Sequence, residues 1–369
     1  MERPIFKPIG TPVEQLDTPA LVVDLEALDH NIETLHAFFR RRETKVRPHV
    51  ESHRCPTIAH MQLAVDGTVG GISVTTVGEA EVFAQSGITD IFVASEVVTK
   101  QKIARLCALA RKGKLTVAVD NPQNVQDLSD AAQNAGVTLN VVVDIHTRLD
   151  LCGVEPGQPA VDLARVVSKA QGLHFKGLMT YEGAILVEDA EELAAESRKW
   201  IQQVLDTREM IEKDGMEVEV VSVGGTHNYE IAGAMSGVTE VPAGSYALMD
   251  YRYRKNRPQF KQAAKVMTTV MSHPEPGKAF LDSGQKAIGI DTGVPVAEGI
   301  AGATLIRMSA EHGYLQLEGD AQNSIDLGEK VWLTPWDTGT CVNVYDYINA
   351  VRDGKLEAVW EIAARGRYR

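Results

Sequence analysis

Four side chains offer chemistry: Glu51, His146, Glu182 and His227. Each closes a short run rich in β-branched residues, "KVRPHVE", "LNVVVDIH", "FKGLMTYE" and "VVSVGGTH". Two carboxylates and two imidazoles gathered on one rim can pass protons between a substrate and the protein. The same groups can instead hold a divalent cation, since carboxylate oxygen and imidazole nitrogen are common ligands. In a strand, side chains alternate, so "KVRPHVE" puts Arg47, His49 and Glu51 on one face with Glu51 outermost. The same parity links Val142, Asp144 and His146, with His146 at the end.

Such a convergence needs strands that all finish at one edge. From about residue 45 to 245, a β-branched run, a turn and an Ala/Leu/Glu-rich helical stretch follow one another repeatedly. The strand candidates are 45–51, 71–75, 90–94, 115–120, 139–146, 175–182, 217–222 and 238–243. Eight β/α units in roughly 200 residues predict an α/β fold, a (β/α)8 barrel whose active site lies at the C-terminal ends of its strands. After Asp250 the texture changes. "AAKVMTTVMSH", "KAFLDSG", "GATLIRMS" and "KVWLTP" follow one another with Gly/Pro turns, which predicts a mainly β domain. The early "TPALVVDLEALDHNIETLHAFF" reads as a strand and a helix capped by Asp24. The expected division is a barrel over 25–250 and a β domain from 1–24 and 251–369.

Composition narrows the partners. The chain has 369 residues, is 44% hydrophobic and 24% charged, and carries a formal net charge of -13. That charge argues against nucleic acid and an anionic membrane surface, leaving a small molecule as the expected ligand. Cys55, Cys107, Cys152 and Cys341 are scattered, with no CxxC pair, which suits a reducing compartment. No apolar signal core is seen in "MERPIFKPIG", and no run of eighteen apolar residues occurs, so a cytoplasmic location is expected.

Several distant stretches resemble the D-threonine aldolase and D-serine dehydratase-like proteins: "LDTPALVVDLEALDHNI", "VRPHVESHRCPTIA", "VTTVGEAEVFAQSGITDIFVA", "GLMTYEG", "VSVGGT", "VPAGSYALMD" and "IAARGR". The resemblance implies an alanine-racemase-type barrel of fold type III, a following β domain, pyridoxal phosphate (PLP) and a homodimer. It also implies that Gly224, Gly225 and Thr226, with Gly244, Ser245 and Tyr246, form the pocket for a cofactor phosphate. Backbone N–H groups of a glycine turn suit an anion whether or not a cofactor is present.

The family's functional residues carry over poorly. Glu51 stands where the family has the Schiff-base lysine, Ala184 where it has a basic histidine, and His146 where an aspartate is usual. In "PWDTG", Asp337 occupies the place of the metal-binding histidine and Gly339 that of the second ligand. A carboxylate cannot condense with an aldehyde, so Glu51 cannot replace the lysine chemically. Lys45 has the right parity but lies roughly 20 Å back along an extended strand. Lys286 matches a family lysine present beside the Schiff-base one.

The expectation that follows is a PLP-independent, metal-dependent aldolase, a carbon–carbon lyase for a hydroxy-carbonyl substrate such as an α-hydroxy ketone or hydroxy acid. Its expected metal ligands are Glu51, His312 in "SAEHG" and Asp337, at a site between the domains. His49, His146, Glu182 and His227 supply bases or further ligands. Mg²⁺ or Mn²⁺ suits the carboxylates, and Zn²⁺ would suit a set richer in histidine. The competing expectations are a non-catalytic binder of PLP or a phosphorylated metabolite, and an intact PLP aldolase or dehydratase.

Overall fold

The computed structural model describes residues 6–149, 151–183 and 185–369. Two compact units emerge: one comprises Leu35–Glu51, Ile58–Gly244 and Gly366–Arg369, the other Met1–Thr34, Ser52–Thr57 and Ser245–Arg365. The chain opens with β1 (Ala20–Asp24) and α1 (Leu25–Phe39). The division falls within α1 and not at the expected residue 25. Asn31 on its first half donates to Ala247 O and Lys261 O in the β unit, while Phe38 at its end packs edge-on against Tyr229 in the barrel.

The barrel unit runs β2 (Lys45–Val46), α2 (Pro56–Leu63), β3 (Ile72–Val74), α3 (Val77–Gln85), β4 (Asp90–Glu96), α4 (Lys100–Ala110), β5 (Lys114–Val119) and α5 (Pro122–Ala135). It continues with β6 (Leu139–Asp144), α6 (Gln158–Lys169), β7 (Leu173–Met179), α7 (Ala190–Lys213), β8 (Val220–Ser222), α8 (Tyr229–Ala232) and β9 (Glu240–Val241). The sheet order is β2-β9-β8-β7-β6-β5-β4-β3, with parallel neighbours throughout. Parallel bridges from Val46 to Thr68 and from His49 to Ser73 close the ring. Local chemistry sets the helix starts. Thr76 and Glu79 form a reciprocal capping box, and Asn121 caps α5 ahead of Pro122.

Alternation decides what faces inward. Phe92, Ala118, Val142 and Met179, from four adjacent strands, pack as one buried cluster in the barrel interior. Toward the other end, Arg47 bridges Glu240 and Asp90 with N–O distances of 2.9 Å. A side chain on Gly71 would meet that bridge, since a Cβ there would lie 2.5 Å from Asp90 Oδ1.

The β unit adds β10 (Ala264–Glu275), β11 (Lys278–Leu281), β12 (Val296–Glu298), β13 (Ala303–Met308), β14 (Gly313–Leu317), α9 (Ala321–Ser324), β15 (Lys330–Thr334), α10 (Thr338–Val342), β16 (Tyr347–Arg352) and β17 (Lys355–Glu361). Its main path is β13-β14-β11-β10-β1-β16-β17, with β15 beside β10 and β12 beside β15. Val13, Leu16, Ala20, Val22, Met267, Val351 and Leu356 bury one face, with Trp332 packed against them. Among the described residues, no helix is long and apolar enough to cross a membrane.

All eight expected barrel strands form, but the three expected to carry Glu51, His146 and Glu182 end before reaching them. β2 stops at Val46, and Pro48 two residues on has no N–H to give a ladder. Glu51 therefore sits in a single 3-10 turn, Val50–Ser52, and strand alternation does not set its direction. β6 stops at Asp144 and β7 at Met179, leaving His146 and Glu182 on the loops beyond.

Candidate active site

At the C-terminal rim of the barrel, Glu182 has no solvent exposure. Its carboxylate accepts from Asn228 Nδ2 at 2.7 Å and from Gly224 N at 3.2 Å. His227 Nε2 stands 3.8 Å from Glu182 Oε1. Burial pushes the Glu182 carboxyl above its usual range, against the pull of the Asn228 and Gly224 hydrogen bonds. Two of the four expected rim residues are thus neighbours in a buried pair, and the proton affinity of its carboxyl is raised. Asn228 orients them: its Oδ1 accepts from Gly225 N at 3.0 Å and its Nδ2 also reaches Ser197 Oγ at 3.2 Å. Sequence reasoning missed Asn228, although it directly follows His227 in "GGTHN".

In the expected anion pocket, the Gly224 and Gly225 N–H groups donate inward to Glu182 and Asn228. Thr226 is buried, Gly244 ends the barrel unit, and Ser245 opens the β unit, where its carbonyl accepts from Met249 N at 2.7 Å.

A second polar group lies further round the rim. Glu96 closes β4, Asp120 follows β5, Asp144 closes β6, and Cys152 lies on the loop after β6. Among the described residues, Glu96, Asp120 and Cys152 form the group of metal-capable side chains whose ligand atoms all lie within 4.8 Å of one another. The loop is turned back onto the strand end by His146 N to Val154 O at 2.8 Å and Val154 N to Asp144 O at 3.0 Å. Gly153 allows this. Its φ is +107°, and a Cβ there would lie 2.5 Å from His146 N. Its own N–H donates to Asp120 Oδ2 at 3.3 Å. Burial, the adjacent Glu96 carboxylate and Asp120 together push Asp144 up to about 8. The negative Glu96 beside it, together with burial, raises the Cys152 thiol. His146 stands at the mouth with its side chain 28% exposed and Nδ1 3.8 Å from Glu155 Oε1.

Of the expected metal set, Glu51 is half-buried in the barrel unit, while His312 and Asp337 belong to the β unit. His49, also half-buried, gives its backbone N–H to Ala243 O at 2.9 Å. His312 lies in the turn between β13 and β14, its N–H on Ser309 Oγ at 3.2 Å. Asp337 caps α10 by accepting from Thr340 N at 3.1 Å and pairs with Arg252 at 3.0 Å. It is thus a helix cap and an arginine partner. Arg252 also holds Asp250 at 2.8 Å, and Asp250 accepts from Thr338 N at 3.0 Å.

The residues present do not fit PLP held as a lysine imine. Glu51 has no amine, Lys45 is tied to Phe39 O at 3.0 Å and to Arg42 O, and Lys286 is paired with Glu311. Ala184, where the family's basic histidine is expected, lies outside the described residues.

Comparison with known proteins agrees with this architecture. Residues 23–252 match the alanine racemase N-terminal domain, and residues 263–351 match a serine dehydratase-type domain. D-threonine aldolase from Arthrobacter sp is 35% identical over 97% of this chain and 95% of its own length. The crystal structure of D-threonine aldolase from Filomicrobium marinum superposes with a TM-score of 0.94 at 36% identity, covering 98% of this chain and 99% of that one. D-threo-3-hydroxyaspartate dehydratase from Delftia sp. HT23 gives a TM-score of 0.83 at 26% identity, covering 95% and 98%. A mutant of a dehydratase of that name has been solved in a metal-free form.

Proposed function

The chain belongs to the D-threonine aldolase-like family with an alanine racemase-type barrel, and from that premise we propose that it is a carbon–carbon lyase of the aldolase type working without a lysine-bound cofactor. Its substrate class is a hydroxy-carbonyl compound, with β-hydroxy acids and β-hydroxy amino acids nearest to the substrates in the relatives' names and α-hydroxy ketones that also carry a β-hydroxyl alongside. The observation that carries this reading is Glu51, a carboxylate in the turn Val50–Ser52 where the family resemblance places the imine-forming lysine.

Cleaving the bond between a hydroxyl-bearing carbon and the carbon beside a carbonyl releases an aldehyde and leaves an enolate. Without an imine to take up the electron pair, the reaction needs another sink. A bound divalent cation would supply it as a Lewis acid toward the carbonyl oxygen. In this reading His146, partly exposed at the mouth, takes the hydroxyl proton as the aldehyde forms. Under it the buried Glu182–His227 pair supplies the proton that returns to the enolate carbon, and proton exchange with solvent then resets both His146 and the pair. The same reading has the protein act on a small molecule as a cytoplasmic homodimer.

The test is aldehyde release from a panel of β-hydroxy acids, β-hydroxy amino acids and α,β-dihydroxy ketones, before and after EDTA and with Mg²⁺, Mn²⁺ or Zn²⁺ restored. Turnover that EDTA abolishes and metal restores is the expected result, with His146→Ala slower by about 10²-fold or more. Undiminished turnover in EDTA overturns the metal step. A panel left wholly uncleaved overturns the enzyme reading in favour of a binding protein.

A further inference from the structure

We infer that a cleft on one face of the β unit binds a small free α-amino acid, held by Asp24 at its ammonium and by Lys265 at its carboxylate. The cleft measures about 240 Å³, and Val13, Val22, Asp24, Gln262, Lys265 and Trp332 are among the residues that line it. All of its lining residues belong to the β unit, so it shares none with the Glu182–His227 pair of the barrel unit. That volume is the share of roughly eight waters and falls below the roughly 300 Å³ at which pockets for drug-sized ligands begin. The occupant is therefore a small metabolite.

Strand register builds the site. Ala20, Val22 and Asp24 share one face of β1, and Lys265 of β10 lies directly across from Val22. Asp24 N donates to Ala263 O at 2.9 Å, which continues the pairing and makes Asp24 and Lys265 diagonal neighbours, roughly 7–8 Å apart. Trp332 of β15 stands across from Met267, and Met267 across from Ala20, so the indole shares this face. Val351 of β16 sits beside Asp24. Val13, Val22, Met267 and Val351 bury the apolar part of the face, and Trp332 packs against them while staying half-buried.

The two opposite charges that line the cleft are not matched with each other. Asp24 Oδ1 accepts from Ala27 N at 3.0 Å, and among the described residues no cation is paired with Asp24. Lys265 Nζ pairs with Glu298 Oε2 at 2.6 Å, and the other Glu298 oxygen accepts from Thr334 Oγ1 at 2.7 Å. An ammonium has three N–H groups, so two remain on Lys265. An α-amino acid carries its ammonium and carboxylate on one carbon, and with charged hydrogen bonds of about 2.8 Å at each end it reaches from one side chain to the other across Val22. A simple amine would meet only the acid, and a simple carboxylate only the lysine. Gln262 adds an independent mark. Its Nε2 faces Asp250 O at 3.5 Å, which leaves Oε1 shut off from solvent with no donor. The terminal torsion of glutamine is soft, so a small turn brings this oxygen to a ligand N–H in the cleft. Trp332 and the valines receive the ligand's own side chain, which is short and apolar.

Valine is the probe, because it has no β-hydroxyl and offers the proposed lyase no bond to cleave. Equilibrium dialysis of the full chain measures L-valine, D-valine, isobutylamine (valine without its carboxylate) and isovalerate (valine without its ammonium). One valine per chain is expected, with each analogue weaker by at least about 10-fold. Asp24→Asn keeps the cap of α1, since asparagine caps as well as aspartate, and should erase the preference for valine over isovalerate. Lys265→Met should erase the preference over isobutylamine. His146→Ala, at the barrel rim, should leave valine affinity unchanged. Melting curves without ligand establish that each variant is folded. No valine bound at millimolar concentration, for either enantiomer, overturns the site. So does affinity untouched by both β-unit substitutions or lost in His146→Ala, and so does isobutylamine or isovalerate binding as tightly as valine. The lyase reading stands or falls on aldehyde release, which none of these outcomes touches.

Discussion

Asn228 Nδ2 donates to Glu182 Oε1 at 2.7 Å in a place with no solvent exposure. The same asparagine accepts from Gly225 N, so one side chain fixes both the carboxyl and the glycine turn. Removing it in Asn228→Ala strips the buried carboxylate of its shortest donor and should cost about 1–3 kcal/mol of stability. The loss should grow with pH. Burial already raises the Glu182 pKa, so the folded protein holds a proton that the unfolded chain gives up first, and stability falls as pH rises through that window. Loss of the donor widens the window. Urea denaturation at pH 5 and pH 8 checks this, and an equal loss at both would sink it.

Asp144 gives the same sign with a printed range. Its carboxyl moves from 3.8 to about 8 in the folded protein, through burial, Glu96 and Asp120. In chelated protein, stability should therefore decline from about pH 4 to pH 8, at no more than about 1.4 kcal/mol per pH unit from this group. Asp144→Asn cannot ionise, so it should melt higher than the wild type at pH 8, with the gap closing toward pH 5. Parallel melting curves for the two proteins across that range, differing by a constant, would refute the assignment.

The fold was far more legible than the site. Runs such as "LNVVVDIH" and "KLTVAVD" advertise buried parallel strands, because both faces of such a sheet are covered and apolar β-branched residues fill it. The strand ends were harder to read. Pro48 stops β2 early, which places Glu51 in a turn whose direction no alternation rule supplies. Glu182 lies three residues beyond β7, and its pairing with Asn228 depends on a loop folding back across 46 positions of sequence. Glu96, Asp120 and Asp144 each sit at or just beyond a strand end, the same signal that flagged His146. What brings Cys152 to them is the reversal at Gly153, a three-dimensional approach that spacing alone does not encode. The capping role of Asp337 was likewise not legible, since a carboxylate at a helix start is as readily a cap as a ligand.

Arg47 is the structural counterweight at the other end of the barrel. It makes a two-pronged pair with Glu240, which is 3% exposed, and a third bond to Asp90. Arg47→Ala leaves Glu240 charged and buried, and should cost about 3–5 kcal/mol. Replacing both partners, Arg47→Met with Glu240→Leu, removes the orphaned charge and should recover most of that loss. Guanidinium denaturation of the single and double variants decides the matter. A double variant no more stable than Arg47→Ala would show that the pair does not govern this end of the barrel.

The last prediction concerns the amine that Glu51 lacks. Incubation with PLP followed by borohydride should leave no stoichiometric pyridoxyl-lysine in the wild-type protein. Lys45 is held by the carbonyls of Phe39 and Arg42, and Lys286 is paired with Glu311, so both side chains are engaged away from Glu51. Glu51→Lys returns an amine to the turn Val50–Ser52, yet Gly224 N and Gly225 N remain committed to Glu182 and Asn228. Labelling at position 51 in that variant should therefore be weak and should not saturate at micromolar PLP. Adding Asn228→Ala frees Gly225 N and should strengthen it. Peptide mass mapping after reduction measures each outcome. One equivalent of label on a single lysine of the wild type would restore an aldehyde-cofactor reading. Tight labelling of Glu51→Lys alone would show that the glycine turn yields to a phosphate.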